Sequence, residues 1–361
     1  MPIRIAFLAV TQAHQFLHWI PAALRLAREP DVEVAVFGST RAGLDFIRSY
    51  DTEGRLKLER LWTPSFESAG LFTPPRRRLA LLTGAWKLAR YPVLVTTEAT
   101  SSLLYGVPGF RSRIVHLKHG AGDREGGYNP KHAKFDLTLV NGPKDKERLI
   151  ARGLASESDC IVVGYGKFEL VRPPVDPLFA NVAPIALYNP HFDEQLGSWF
   201  RHGPEIVTEM ERITDWNFVV APHVKVKNGP DIRARSPNVL IDHGSVRSID
   251  MTYTESATVY VGDISSQVYE FLRRPRPCIF LNLDRIDWRE NENYAHWHLG
   301  QVIERVEDFG PALKHAQELQ PKFRDAQREM LEKSVDPSPV PASERQARII
   351  LDFAMRVSAR R

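Results

Sequence analysis

Apolar positions along this chain recur in two rhythms, and the two alternate. Short continuous apolar runs are followed by longer stretches in which apolar residues return every three or four positions. Residues 3–10 have the first pattern and read as a strand. Residues 14–27 have the second, with Phe16, Leu17, Ile20, Ala23 and Leu24 on one helical face, and Pro21 marks either a kink or the true start of that helix. A strand over 32–38, a helix over 41–50 and a third strand over 56–62 follow, then a loop containing Pro and Gly at 63–75 and an amphipathic segment at 76–91. Further short apolar runs lie at 92–97, 113–117 and 135–140, and residues 161–166 close this half as a strand and turn. Continuous rather than alternating apolar runs, separated by helix-length segments, predict a parallel sheet covered on both faces.

The pattern then restarts. Residues 173–184 contain Pro173, Pro174, Pro177 and Pro184 and read as a linker. Strands are predicted at 185–189, 217–221, 239–241, 259–261 and 278–281, with helices at 204–213 and 265–273. From residue 306 onward the chain reads as helical, over 306–319, 321–332 and, after a loop at 334–341, 343–358. The expected fold is α/β, two Rossmann-like domains facing across a cleft and finished by C-terminal helices. Its parts are a domain over 1–172, the linker, a domain over 185–333 and a tail and helix over 334–361. The 361 residues suit two cores of about 150–200 residues each.

Composition narrows the class. Hydrophobic residues at 43% and charged residues at 25% are those of a soluble globular protein. No run of about 18 apolar residues is present to span a membrane. The opening residues read as a first strand, their apolar run being short for a signal peptide. The two cysteines, Cys160 and Cys278, lie in or beside strand-like runs and are expected as buried thiols, which points to the cytoplasm. The net charge is +4. Basic clusters at 76–78, 273–276 and 360–361 suit solvent, anionic substrates or an anionic membrane surface. No basic stripe interleaved with aromatics is present, so nucleic acid is not an expected partner.

In parallel sheets ligands bind beyond the carboxyl ends of strands, so the loops that follow strands are where chemistry is sought. Three stretches qualify. In His116-Leu-Lys-His-Gly-Ala-Gly-Asp-Arg-Glu-Gly-Gly-Tyr128, His119 stands at a strand end and heads a loop whose glycines, Gly120 first, let backbone approach a ligand. His119 is a candidate general base, with Lys118 and Arg124 adding charge suited to phosphate; the alternative is a histidine bonded to its own turn. His116, inside the strand, reads as structural. In Phe218-Val-Val-Ala-Pro-His-Val-Lys-Val-Lys227, His223 follows a strand with Lys225 close by, a candidate phosphate donor. In Val259-Tyr-Val-Gly-Asp-Ile-Ser-Ser-Gln-Val-Tyr-Glu-Phe271, a strand, a turn and a serine-rich helix start make an anion site from Asp263, Ser265 and Ser266. Glu270 either reaches inward to a hydroxyl or base or faces solvent. The competing reading of the whole stretch is plain helix capping by serine.

Metal ligation is not expected, since the cysteines are isolated and His296-x-His298 has no third ligand. A phosphate-binding P-loop, a Gly-x-Gly-x-x-Gly after the first strand and a Gly-x-Ser-x-Gly elbow are all missing, which argues against ATPases, dehydrogenases and serine hydrolases.

Taken together these motifs carry a resemblance. His119-Gly120 resembles the His-Gly motif of the CDP-glycerol glycerophosphotransferases, the teichoic-acid polymerase family. Tyr188-Asn-Pro-His191 is similar to that family's Tyr-x-Pro-Thr segment, Pro222-His223 to its second catalytic histidine and Gly262-Asp-Ile-Ser-Ser266 to its Thr-Asp-Tyr-Ser-Ser turn. Arg274-Pro-Arg-Pro-Cys-Ile-Phe-Leu281 resembles the strand that follows, and Gly300-Gln-Val-Ile303 the family's Gly-Pro-Val. The likeness runs over residues 113–320, whereas the N-terminal third agrees in pattern only. Ile264 stands where the family has Tyr, His191 where it has Thr and Lys118 where Trp often precedes His-Gly.

The resemblance implies a GT-B enzyme without metal or cofactor, taking a CDP- or UDP-linked donor in its C-terminal domain and a glycan or glycolipid acceptor. It would work in the cytoplasm, peripheral to the inner membrane face. By carry-over, His119 is the base, while His223, Ser265 and Ser266 hold the donor diphosphate with Arg247. Two other readings share the fold. One is a UDP-sugar glycosyltransferase or non-hydrolysing UDP-N-acetylglucosamine 2-epimerase; that epimerase's Asp-Ser-Gly-Gly turn is not matched, since Gln267 follows Ser266. The other is a non-catalytic GT-B binding subunit.

Overall fold

The structure is a computed structural model that describes residues 2–172, 176–226 and 228–360. Residues 173–175 of the expected linker, Lys227 of the second candidate stretch and Arg361 of the C-terminal basic pair lie outside the described residues. The chain resolves into two compact units. The first comprises Met1–His119, Tyr128–Leu170 and Ser334–Arg361, and the second Gly120–Gly127 and Val171–Lys333.

The strands of the first unit are β1 (Ile3–Ala9), β2 (Val32–Gly38), β3 (Lys57–Arg60), β4 (Val93–Thr96), β5 (Arg113–Leu117), β6 (Leu137–Val140) and β7 (Cys160–Val162). They form one sheet in the order β3-β2-β1-β4-β5-β6-β7, every pair parallel. Its helices are α1 (Ile20–Leu26), α2 (Arg41–Arg48), α3 (Arg77–Leu88) and α4 (Pro143–Ala151). The second unit repeats the plan with β8 (Ile185–Asn189), β9 (Asn217–Val220), β10 (Val239–Ile241), β11 (Val259–Gly262), β12 (Cys278–Leu281) and β13 (Gln301–Ile303). Their order is β10-β9-β8-β11-β12-β13, again all parallel. Its helices are α5 (Trp199–Arg212), α6 (Thr252–Ser256), α7 (Gln267–Phe271) and α8 (Phe309–Ser334), while α9 (Ala342–Ala359) belongs to the first unit.

Both sheets have the doubly wound order, in which the winding direction reverses between the first and fourth strands. The reversal falls between β1 and β4 in one unit and between β8 and β11 in the other. A crevice opens beyond the strand ends at such a point because the two neighbouring loops leave in opposite directions. The strands themselves are apolar runs buried on both faces: β4, β6, β9, β11 and β12 are buried at every position.

Several local readings change. The segment over 14–27 is a 3-10 turn (Ala13–His18) followed by α1, with Pro21 in the first helical turn, where its missing N–H costs nothing. Two helices run through prolines at which the sequence suggests a boundary. α5 begins at Trp199, upstream of Pro204, because the Trp199 indole is buried in the core with Ile206 and Met210. α8 is one 26-residue helix across Pro321. Its face of Phe309, Ala312, Leu313 and Ala316 packs on the second core, and Gln327 donates to the carbonyls of Arg276 and Leu299 at 2.9 and 2.7 Å. α9 docks on the first unit by burying Gln346, Ala347, Ile350 and Ala354, and Ser343 gives its N–H and hydroxyl to the Glu169 carboxylate. α4, α6 and β13 are short elements that the periodicity did not single out. Cys160 and Cys278 are buried free thiols, the first pushed up to about 11 by burial.

Three buried histidines give the first unit a measurable pH response. Burial holds His18 and His116 well below the usual imidazole range and lowers His132 to about 4, with Lys167, His132 and Lys118 respectively adding repulsion. These rings stay neutral in the folded chain and take up protons below about pH 6.5 when it unfolds. The unfolded state then binds more protons, so stability present above pH 6.5 is lost as pH falls, by up to about 1.4 kcal/mol per pH unit for each ring. Thermal unfolding should show Tm falling between pH 7 and 5. His132→Phe, whose ring packs beside His116 at 4.6 Å, should flatten the slope; an equal slope in wild type and variant would contradict the assignment.

Candidate functional site

His119 follows the carboxyl end of β5 and is half-buried in the first unit. Its Nδ1 lies 2.8 Å from the Thr97 carbonyl, which can only accept. The proton is therefore on Nδ1, and Nε2 keeps the lone pair that a base uses. Thr97 directly follows β4, so this bond fixes the ring at the reversal point of the first sheet. The rings of His14 and His18 stand 6.4 and 6.2 Å away.

Lys118, expected to offer its charge to a ligand, points inward instead. Its ammonium pairs with the buried Asp145 carboxylate at 2.5 Å and lies 4.1 Å over the Tyr128 ring. Burial alone would lower it, but Asp145 and Tyr128 outweigh that and hold Lys118 above its ordinary value. A lysine so paired braces the turn; the ion pair would have to break for it to meet a phosphate.

In the second unit the turn after β11 is organised by Asp263, 2% exposed. Its carboxylate accepts from the backbone N–H groups of His191, Ser198 and Ile264 at 2.9, 2.8 and 2.6 Å and from the Ser198 hydroxyl at 2.9 Å. Burial raises this acid, and the four donors pull it back. The expected contact of Asp263 with a diphosphate is corrected here: its oxygens are committed to the loop after β8, and a carboxylate would repel the anion. Ser265, 1% exposed, donates its hydroxyl to Asn189 Oδ1 at 2.7 Å. Ser266 occupies the N-cap position in helical geometry and makes no cap bond, whereas the Ser265 hydroxyl accepts the Gln267 N–H at 3.4 Å. The helix itself, α7, is five residues long and shorter than the 265–273 expected.

Ser266 is exposed, and the glycine-rich loop lies beside it. A Cβ on Gly122 would come within 2.7 Å of the Ser266 Cβ, so only glycine lets the two segments approach this closely. Gly120 has φ +71°, the left-handed region that glycine enters without strain. The loop is pinned through Asp123, which accepts from the Tyr269 hydroxyl and lies 3.3 Å from His296 Nδ1. His296 Nε2 and the Trp297 indole in turn donate to the Asp263 carbonyl, at 2.8 and 2.6 Å. His296 is thus a buried brace. Glu270 is buried rather than solvent-facing. Arg247 is exposed in a 3-10 turn whose next residue, Ser248, accepts the Gln267 amide at 3.1 Å, so it stands close to the start of α7.

Cations gather around Phe192, just past β8. Arg124 lies 5.7 Å and Lys225 5.1 Å from its ring centre, and the His223 ring is 5.1 Å away. His223 Nδ1 accepts the Lys225 N–H at 3.1 Å, leaving the proton on Nε2, the form that donates to an anion. His191 Nε2 accepts from Arg124 at 2.6 Å. Burial above all, with Arg124, His223 and Lys225 adding repulsion, drives the His191 ring down to about 2. The sequence offered Arg124 in one stretch and His223 with Lys225 in another; Phe192, Asn189, Asp123 and Tyr269 had no signal beyond their place near motifs. Beside the turn a cavity of about 120 Å³ is lined by Leu281, Asn282, Tyr294 and Trp297, among others. Among the described residues, no three His, Cys, Asp or Glu side chains are grouped to hold a metal ion, and no helix is long and apolar enough to cross a membrane.

No family model matches the sequence, and no curated protein matches it either. Solved structures do. The chain is similar to the wall teichoic acid polymerase TagF at 12% identity and TM-score 0.68, over 99% of this chain and 90% of that one. It is similar to the calicheamicin glycosyltransferase CalG4 at 16% identity and TM-score 0.59, over 99% and 100%. It is also similar to the UDP-GlcNAc 2-epimerase of Neisseria meningitidis, solved bound to UDP-GlcNAc, at 12% identity and TM-score 0.64, over 99% and 100%. A TagF variant was soaked with CDPG. With the two doubly wound sheets, these likenesses establish the two-domain GT-B fold.

The roles given to Asp263 and Ser266 separate by stability. Asp263→Ala strands buried backbone donors and should cost about 3 kcal/mol in denaturant unfolding. Ser266→Ala, at an exposed position, should stay within about 0.5 kcal/mol. Equal stability of the two variants would overturn the structural role of Asp263.

Proposed function

We propose that this chain is a GT-B transferase that takes a nucleotide-activated donor, CDP-glycerol first among the candidates, and moves its glycerol phosphate to a hydroxyl of a cell-surface glycan or glycolipid. The observation that carries this reading is the cation cluster around Phe192, next to the reversal point of the second sheet. Arg124 comes from one loop, His223 and Lys225 from another, and the charge that Arg124 and Lys225 concentrate suits a diphosphate better than a neutral ligand. The close approach of Gly122 to Ser266 sets that exposed hydroxyl beside the glycine-rich loop, where the reading has it meet the diphosphate. The cavity beside Tyr294 and Trp297 is where the reading puts the base.

In the proposed step the acceptor hydroxyl gives its proton to His119 Nε2 as its oxygen attacks phosphorus. The new O–P bond forms while the P–O bond to CMP breaks, and CMP leaves with the electron pair. Arg124, Lys225 and His223 meet the charge that grows on the departing phosphate. Thr97 keeps the His119 ring in the tautomer the step needs. The scheme calls for no cofactor besides the donor, and the same reading puts the chain in the cytoplasm, peripheral to the inner membrane face.

A second reading, UDP-sugar chemistry without an acceptor, is favoured by the likeness to the epimerase. Turnover of UDP-N-acetylglucosamine alone would establish it in place of the first.

Two variants and a ligand screen test the roles. Thermal shift against CDP, UDP, GDP and CMP species should favour a cytidine or uridine diphosphate. No nucleotide binding at millimolar concentration would leave a non-catalytic binding subunit. His119→Ala should lower kcat by about 10² or more with donor affinity kept. Arg124→Ala combined with Lys225→Ala should weaken donor binding by about tenfold or more. Donor affinity lost in the first variant or unchanged in the second would reverse the assigned roles.

A further inference from the structure

The first unit carries another gathering of cations, at the end of its sheet opposite to His119. A cavity of about 880 Å³ opens there, with Arg111, Arg113, Arg356 and Arg360 in its lining. Arg113 is the first residue of β5 and Asp136 directly precedes β6, so the cavity lies at the amino edges of the strands. Asp136 is the single carboxylate among the lining residues. It is already engaged by Arg113 and the Ile114 N–H, both at 2.8 Å, and by the Tyr105 hydroxyl. Arg356 and Arg360 stand on the face of α9 that also carries Phe353 and Val357, at spacings of three and four residues. With Arg113 paired to Asp136, the three further guanidinium groups in the lining favour an anion, and the phenyl and valine side chains favour one with an apolar part.

The lining also includes Ala89, the residue that ends α3. This helix exposes Arg78, Leu82 and Trp86, each four residues from the last and hence on one face, and the exposed Arg90 follows just past its end. Leu82 and Trp86 are 54% and 60% exposed. Trp62, 53% exposed, lies alongside, since its carbonyl accepts the Thr83 hydroxyl at 3.2 Å. Arg76 and Arg78 stand at one end of the face, and at the other the Arg90 guanidinium lies 5.1 Å over the Trp86 ring. Indole rings and a leucine held in water between arginines have the composition of a surface that lies in a membrane interface, with rings at headgroup depth and cations on lipid phosphates.

We propose that the exposed face of α3 and the arginine-lined cavity together dock this chain on an anionic lipid bilayer. Trp62, Leu82 and Trp86 enter the headgroup layer, and the cavity takes a lipid phosphate headgroup. This deepens the reading of a glycolipid acceptor, but its test reads lipid binding alone, so the two stand or fall separately.

Flotation of the full chain with phosphatidylcholine vesicles, and with vesicles containing about 30 mol% phosphatidylglycerol, tests it. The wild type should float with the anionic vesicles only. Trp62→Ser with Trp86→Ser, and separately Arg356→Ser with Arg360→Ser, should each lower vesicle affinity about tenfold or more while Tm is kept. Equal recovery with both vesicles, recovery with neither, or loss in the arginine pair but not the tryptophan pair would overturn the proposal. So would a cavity that binds soluble glycerol 3-phosphate, seen as a thermal shift lost in the arginine pair, in a chain that ignores vesicles.

Discussion

Asp263 is the group on which the order of the second unit's site depends. A carboxylate is costly to bury, and it is tolerated here because four donors converge on it from the segments after β8 and β11. The bonds run the other way as well. Without Asp263, the N–H groups of His191 and Ser198 would be buried without these partners, and the path of residues 190–198 would lose a tie near each end. That path puts His191 and Phe192 where Arg124 and Lys225 meet them. The Asp263 carbonyl holds His296 and Trp297, and His296 reaches the Asp123 that anchors the glycine-rich loop. One buried charge thus sets three loops at the same strand ends.

The two units handle charge in contrasting ways. In the first, Lys118 and Asp145 neutralise each other in the interior, and His18, His116 and His132 are kept neutral by burial. Such groups are buried and shape the fold. Around Phe192, Arg124 and Lys225 stay part-exposed, with Asp193 3.8 Å from Arg124. Like charges held this close are expensive unless an anion shares the site. Burial first, and then the neighbouring cations, depress the His191 ring.

The first sheet carries contrasting chemistry at its two ends. Beyond its carboxyl edge, backbone fixes the tautomer of a single histidine, which suits a proton transfer. At its amino edge, arginines and an aromatic helix face suit a broad anionic surface. The division follows from parallel strands, whose carboxyl ends diverge into a crevice at the reversal point while their amino ends are covered by helix termini such as those of α3 and α9.

Local sequence determined the strand–helix alternation, the two-sheet fold and the strand ends at which His119, His223 and the Ser265-Ser266 turn stand. These follow from apolar periodicity, which is short-range and survives in one sequence. Helix ends were less legible: Pro204 and Pro321 look like boundaries locally, but the buried faces of α5 and α8 outweigh a missing hydrogen bond. The fates of polar side chains were not legible at all. Asp263, Ser265 and Lys118 have the chemistry of ligand contacts, and each is spent on a partner 27 to 76 residues away. Arg124 and His191, 67 residues apart, come together with Phe192 and Lys225 only in the folded unit. Periodicity records which way a residue faces, whereas the partner of a buried polar group is set by which loops meet, and tertiary packing alone decides that.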